Sequence, residues 1–215
     1  MFINTHTHQQ LYDAKIELVN ISPGERNKPR FYSYGIHPWH LDENNYRLQL
    51  DELNNAVREK PCLAIGECGM DKLAKTNIEL QKKVFNAQVK IANEVKKPLI
   101  IHCVKAFNEL LNCLNLADNK VPVVIHGFNN NENIARLLAD HGCYFSFGKA
   151  LLAYDSNAAK ALKSVGRKRF FLETDEADIS IKYIYYKAAE LLGIDEDILR
   201  LQMQANFEEV FKIKS

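Results

Sequence analysis

Phe2-Ile3-Asn4-Thr5-His6-Thr7-His8 is a short apolar run that closes on two histidines one residue apart. In an extended chain, residues i and i+2 point to the same face. His6 and His8 therefore project together, as two imidazoles must to hold one cation. By itself the pair fits a solvated or core-satisfied couple as readily as a metal site. Its weight comes from later apolar runs that also close on His, Glu or Asp.

Working outward, eight such runs read as strands: Phe2–His6, Ile16–Ser22, Phe31–His37, Cys62–Glu67, Leu99–Cys103, Val121–Gly127, Cys143–Gly148 and Phe170–Asp175. Most are continuously apolar, the pattern of parallel strands buried on both faces. Helical stretches lie between most of them: Tyr46–Glu59, Ile78–Lys96, Phe107–Leu116, Glu132–His141, Ser156–Val165, Ile181–Leu192 and Asp195–Phe211, the last with a break expected near Arg200. Ile78–Lys96 carries a 3.6-residue rhythm through Leu80, Val84, Phe85, Val89 and Ile91, and stops at Lys96-Lys97-Pro98. This alternation predicts an α/β fold with a parallel sheet, and eight strands predict a closed (β/α)8 TIM-type barrel. The first three strands are only about ten residues apart, too close for full crossover helices. The barrel is therefore expected to be reduced in its first two crossovers. No repeat, low-complexity segment or linker is visible, so one domain is expected over residues 1–215.

A length of 215 residues with 47% hydrophobic content suits one sizeable core. With 28 basic and 27 acidic residues the net charge is +1. Binding of nucleic acid by bulk charge is thereby excluded, and a polyanion would have to be held by a local site or a metal. No signal-peptide pattern opens the chain and no membrane-length apolar run occurs, so a cytoplasmic location, no membrane and no obligate protein partner are expected. Five cysteines, odd in number and without CxxC spacing, read as free thiols in a reducing compartment. Cys103 beside His102 should face the other way, into packing.

The polar residues at the strand ends form a set. They are His6 and His8 after strand 1, His37 after strand 3, Glu67 after strand 4, His102 after strand 5, His126 after strand 6, and Glu173 and Asp175 after strand 8. The C-terminal strand ends of a (β/α)8 barrel share one face, and that face carries the active site. A single such residue is commonly just a polar group meeting solvent. Four imidazoles (His6, His8, His102, His126) and two carboxylates (Glu67, Asp175) together make the mixed N/O set that suits zinc, manganese, iron or nickel. One ion cannot use all six and keep a position open for water. Two ions sharing a carboxylate can, an arrangement suited to phosphoryl and amide hydrolysis.

Taken with Gly35-Ile36-His37-Pro38, Ala64-Ile65-Gly66-Glu67-Cys68-Gly69-Met70-Asp71, Pro98-Leu99-Ile100-Ile101-His102-Cys103, Val124-Ile125-His126-Gly127-Phe128 and Phe171-Leu172-Glu173-Thr174-Asp175, the chain resembles the TatD family of metal-dependent deoxyribonucleases, within the amidohydrolase-like hydrolases. Asn206-Phe207 matches the family's closing helix. The resemblance implies a divalent-metal phosphodiesterase acting on DNA or short oligonucleotides, with one or two bound ions such as Zn, Mn, Mg or Ni. It implies that His6, His8 and Asp175 hold one ion and His102 and His126 the other, with Glu67 bridging. Asp175 would be the general base, taking the proton of the attacking water.

Other readings stay open. His37 either hydrogen-bonds substrate or is structural beside Pro38. Trp39, the one tryptophan, either caps the barrel mouth or stacks a nucleobase. His141, before Gly142, is expected to compensate a helix dipole at the surface. Glu173 shares the face of Asp175 and is expected to support a ligand. Three departures from the family pattern matter. Asn4 stands where the family has Asp. Cys103-Val104-Lys105 replaces the family's common Arg-Asp, so phosphate recognition either rests on Lys105 or is weaker. Glu176-Ala177-Asp178 leads almost directly into a helix, with no long loop. Two added acids there disfavour a long polyanion. The alternatives are hydrolysis of a small phosphoester, amide or lactone, and a catalytically silent metal-binding module.

Overall fold

The computed structural model describes residues 1–25 and 28–213. Its strands are β1 (Ile3–Thr7), β2 (Ile16–Ile21), β3 (Tyr32–Tyr34), β4 (Cys62–Asp71), β5 (Leu99–Val104), β6 (Val123–Ile125), β7 (Tyr144–Phe147) and β8 (Phe170–Leu172). They follow one another in a single sheet in chain order. The pairings β1–β2, β3–β4, β4–β5 and β7–β8 are parallel. Beyond the end of β8, Asp175 bridges to Thr7 of β1. This is the strand order of a (β/α)8 barrel, the expected fold class. The helices are α1 (Tyr46–Ala56), α2 (Ile78–Val95), α3 (Phe107–Leu116), α4 (Glu132–Asp140), α5 (Asn157–Ser164), α6 (Ile181–Leu192) and α7 (Glu196–Phe211). Among the described residues no helix lies between β1 and β2 or between β2 and β3, so the first two crossovers are reduced, as their lengths predict. No helix among them is long and apolar enough to cross a membrane.

The chain divides into two compact units, Met1–Val19 with Ile125–Ser215, and Asn20–Val124. The first is centred on phenylalanines. Phe145, Phe147, Phe170, Phe171 and Phe207 are buried, and Phe207 stacks on Phe211 at 4.4 Å between centroids. Each such ring contributes about 2 kcal/mol by leaving water. The Tyr185 hydroxyl of α6 clasps the start of β1, donating to the Ile3 carbonyl at 3.1 Å and accepting the Ile3 N–H at 3.2 Å. The break expected near Arg200 is absent: α7 is continuous. No Gly or Pro interrupts it, Leu199, Met203, Phe207 and Val210 form one buried stripe, and Arg200 pairs with Asp197 and Glu196 along the helix.

In the second unit, α2 buries Val84, Phe85 and Val89, as its rhythm predicts, and also Ala92, while Leu80 and Ile91 are only half-buried. The Asn77 side chain caps its start, accepting from the Glu79 N–H, and Lys96 ends it in a left-handed turn. Two buried positions of α2 are glutamines. Gln88 accepts from the Ile36 N–H at 2.8 Å and donates to the Ile36 carbonyl at 3.2 Å. Gln81 does the same for Asp71, at 2.8 and 3.0 Å. Strand β4 therefore runs on to Asp71, four residues past the expected end at Glu67, because Gln81 and the β5 pairing hold the extension. All five cysteines are free thiols, and burial pushes Cys62 up to about 11 and Cys143 up to about 12.

Asn206 in α7 is buried and donates to the carbonyls of Arg167 at 3.0 Å and Phe170 at 2.8 Å. Asn206→Ala removes the donor from both carbonyls. The expected loss is about 2 kcal/mol, seen as a lower urea midpoint at unchanged slope.

Candidate metal centre

Within the first unit, Asp175 lies between the two histidines that open the chain. Its N–H donates to the His6 carbonyl at 3.0 Å, and its carbonyl accepts the His8 N–H at 3.1 Å. Its φ is +56°, a left-handed turn that an Asp tolerates better than most residues. The side chain follows the backbone. Asp175 Oδ1 is 3.6 Å from His6 Nε2 and 3.5 Å from His8 Nε2. These separations are too long for direct hydrogen bonds. The Asp175 side chain is 38% exposed and that of His6 only 1%, so water reaches the carboxylate and not the ring behind it.

The neighbouring residues hold this arrangement. The buried Asn4 amide donates to Thr174 Oγ1 at 2.8 Å and accepts the Thr174 N–H at 3.1 Å. A neutral amide thus makes both bonds without burying a charge at this position. Thr5 Oγ1 donates to the Leu172 carbonyl at 2.8 Å. His126, one residue past β6, stacks at 4.4 Å from the His6 ring, and its Nδ1 is 3.6 Å from Glu173 Oε1. Glu173 is fully buried and accepts the Gly127 N–H at 2.6 Å. Burial opposes its ionisation. The His126 and His6 imidazoles and the Ser146 hydroxyl outweigh burial and hold the carboxyl below the usual range. Glu173 is therefore a buried carboxylate beside the His126 ring.

Within the second unit, Glu67 Oε1 lies 3.0 Å from His37 Nε2 and 2.9 Å from His102 Nδ1. Glu67 sits inside β4, where the β4–β5 register shifts between Ile65 and Cys68. Such irregularities re-aim a side chain. Its N–H donates to Asn20 Oδ1 at 2.5 Å, and Ser33 Oγ donates to the same oxygen at 3.1 Å. His37 Nδ1 accepts the Trp39 N–H at 3.1 Å, which places the ring proton on Nε2, facing Glu67. Burial lowers the His37 pKa, against the pull of Glu67, so the ring is neutral.

Asp71 completes this group, and it was not among the expected site residues. Its Oδ2 accepts the Trp39 indole N–H at 2.7 Å and lies 3.4 Å from His102 Nε2, while Oδ1 accepts the Leu73 N–H at 2.7 Å. Burial pushes its pKa up, but Trp39, Leu73 and His102 together hold it below the usual range. Sequence reasoning stopped at Glu67 and also passed over Asn20. The only signal for Asp71 was its place within the quoted Gly66–Asp71 motif. Lys105 is exposed three residues beyond His102, in a left-handed turn with φ +52°. His141 caps α4, with Nδ1 2.8 Å from the Leu137 carbonyl, a surface role as expected.

The donor chemistry fits divalent cations in each unit. The ligand atoms of His6, His126 and Asp175 lie within 4.8 Å of one another, as do those of His37, Glu67 and His102. Imidazole and carboxylate donors at such spacing suit borderline divalent metals. In the first unit a cavity of about 420 Å³ adjoins Asp175, lined by Asn129, Gly148, Lys149, Glu173 and Glu176 among others.

Residues 4–212 match the family model described as TatD related DNase. The chain is 29% identical to an uncharacterized metal-dependent hydrolase of Buchnera aphidicola subsp. Baizongia pistaciae, over 92% of this chain and 79% of that one. It is 27% identical to the 3'-5' ssDNA/RNA exonuclease TatD of Citrobacter rodentium, over 83% and 76%. Among solved structures it superposes on YJJV, a TATD homolog from Escherichia coli, with a TM-score of 0.83 at 19% identity, covering 99% of this chain and 98% of the other.

The approach of β4 to β5 depends on Gly69, whose register partner is His102. A Cβ at Gly69 would stand 2.0 Å from the His102 carbonyl oxygen, and φ there is +141°. Gly69→Ala is expected to cost about 3 kcal/mol through strain and forced separation. Gly166→Ala, at φ +75° with open space around it, should cost about 1 kcal/mol. Urea unfolding of the two variants checks the difference.

Proposed function

This chain belongs to the TatD-related DNase family, and from that membership we propose that it cleaves phosphodiester bonds in DNA or short oligonucleotides. That it is a metal-dependent hydrolase acting on ester bonds follows from the family and its named relatives. The substrate and the residue roles are the finer reading. The proposed ligands are His6, His8, His126 and Asp175 from the first unit and Glu67 and His102 from the second. The bridging part of Glu67 follows the family resemblance alone.

The observation that carries the reading is the double backbone hold on Asp175. A carboxylate pinned between the ends of His6 and His8, yet open to water on one side, supports the reading of Asp175 as a base. A divalent cation held by these residues would supply Lewis acidity toward phosphoryl oxygens and would lower the pKa of water. Asp175 then takes the proton of the attacking water on a carboxylate oxygen. Glu173 keeps His126 turned, and Asp71 does the same for His102. Both ring nitrogens of His37 are engaged, by Trp39 and by Glu67, so His37 is better read as a positioning residue than as a substrate contact. Lys105, exposed three residues beyond His102, is the proposed cation for a phosphate.

One observation favours a second substrate class. Glu176 lines the cavity beside Asp175, and its negative charge opposes a long polyanion. A small phosphoester held by Lys149 suits that cavity equally well.

The test is cleavage of an end-labelled single-stranded oligonucleotide by protein stripped of metal and reloaded with Mg²⁺, Mn²⁺ or Zn²⁺. Cleavage is expected only when metal is present, and Asp175→Asn should lower kcat at least about 100-fold. Metal analysis of Glu67→Gln should show fewer ions per chain than wild type. Cleavage of small phosphoesters with none of the oligonucleotide would move the reading to the second class. No metal-dependent hydrolysis of either would overturn it.

A further inference from the structure

Trp39 combines two properties that rarely occur together. Its ring is 59% exposed, yet it is held from two sides. The indole N–H donates to buried Asp71 at 2.7 Å, and the backbone N–H donates to His37 Nδ1 at 3.1 Å. The ring stands nearly edge-on to His37 at 4.9 Å and to His102 at 5.7 Å between centroids. A large apolar face is thus presented to water beside the ligand candidates of the second unit.

A ring that served only to cover Asp71 and His102 would gain by burying itself. An indole needed only for its N–H could be replaced by a smaller donor. What the arrangement provides is a rigid aromatic plane whose rotamer is already set, so a flat partner can stack on it with little further loss of side-chain freedom. Lys105, exposed in the same unit, supplies a cation for the phosphate attached to such a partner. The chain has few other means of holding nucleic acid, since its net charge is +1.

We infer that Trp39 is a stacking platform for a nucleobase of the substrate, and hence a specificity-determining residue that favours base-bearing over base-free phosphodiesters. This rests on the phosphodiesterase reading above. Base–aromatic stacking tolerates any base, so the preference is for the presence of a base rather than for its identity.

Trp39 is the only tryptophan, so fluorescence excited selectively at tryptophan, away from the nine tyrosines, reports on this ring alone. The metal-loaded protein is titrated with a cleavage-resistant phosphorothioate single strand, and separately with an abasic strand of equal length and charge. Quenching is expected with the first and not with the second. By anisotropy of labelled strands, Trp39→Ala should weaken binding of the base-bearing strand about tenfold, the change that roughly 1.4 kcal/mol of stacking produces. Binding of the abasic strand should stay within about twofold. Trp39→Phe keeps a ring but loses the N–H to Asp71, and should recover most of the preference. Equal quenching by both strands, or equal weakening of both by Trp39→Ala, overturns the inference and leaves Trp39 as a support for Asp71. Cleavage of base-bearing and abasic strands at equal rates, with silent fluorescence, sinks the role of Trp39 while the phosphodiesterase reading stands. Absence of any phosphodiester cleavage removes the reading beneath it.

Discussion

Two backbone hydrogen bonds, from the Asp175 N–H to the His6 carbonyl and from the His8 N–H to the Asp175 carbonyl, carry the architecture of the first unit. They join the two ends of the barrel's strand order. Nearly the whole chain separates the partners, so their meeting carries a loop-closure cost that no local propensity offsets. The compensation comes from packing around the seam: the buried phenylalanines, the Tyr185 clasp on Ile3, and Asn206 holding the entry to β8. The same bonds set the Asp175 carboxylate against two imidazoles. Closure of the fold and assembly of the ligand group are one event, and a sequence that closes this seam places three candidate ligands without further instruction.

The second unit meets a different demand. Glu67 and Asp71 are both buried, and a buried carboxylate is costly unless donors surround it. Each has donors nearby, and a neutral His102 ring gives its one N–H to one of the two. Glu67 has the His37 and His102 rings on its carboxylate and Asn20 on its backbone. Asp71 has the Trp39 indole, the Leu73 amide and the His102 ring on its carboxylate, with Gln81 on its backbone. Donors so arranged fix where the carboxylates point, and orientation of this kind decides metal affinity as strongly as the ligands do. The buried face of α2, otherwise apolar, gives up two positions, Gln81 to the Asp71 backbone and Gln88 to the Ile36 backbone.

These two cases mark what a sequence reveals. Strands and most helices were legible because burial imposes a period, and Phe107–Leu116 and Ile181–Leu192 match residue for residue. His6, His8, His102 and His126 were legible because a histidine closing an apolar run is chemically conspicuous. Asp71, Asn20 and Gln81 were not. Their role depends on partners far along the chain, and nothing in an Asp one residue after a Met marks it as a histidine's support. The end of β4 was misplaced for the same reason, since pairing with β5 rather than local pattern extends it to Asp71. The break expected in α7 failed because the Arg200 pairings and the continuous buried stripe act across the whole helix.

The charge balance constrains how such a protein can hold its substrate. Phosphate contacts alone give affinity that falls steeply with salt, and they need a surplus of cations that this chain lacks. Glu176 beside the cavity makes the local field less favourable still. Binding must then come from contacts that do not depend on net charge. On the proposed reading, ions held by imidazoles and carboxylates would meet the phosphate, and the fixed plane of Trp39 would meet a base. Both are short-range, and both are exacting about geometry. On that reading, buried polar residues that orient a few side chains stand in for positive charge spread over the surface.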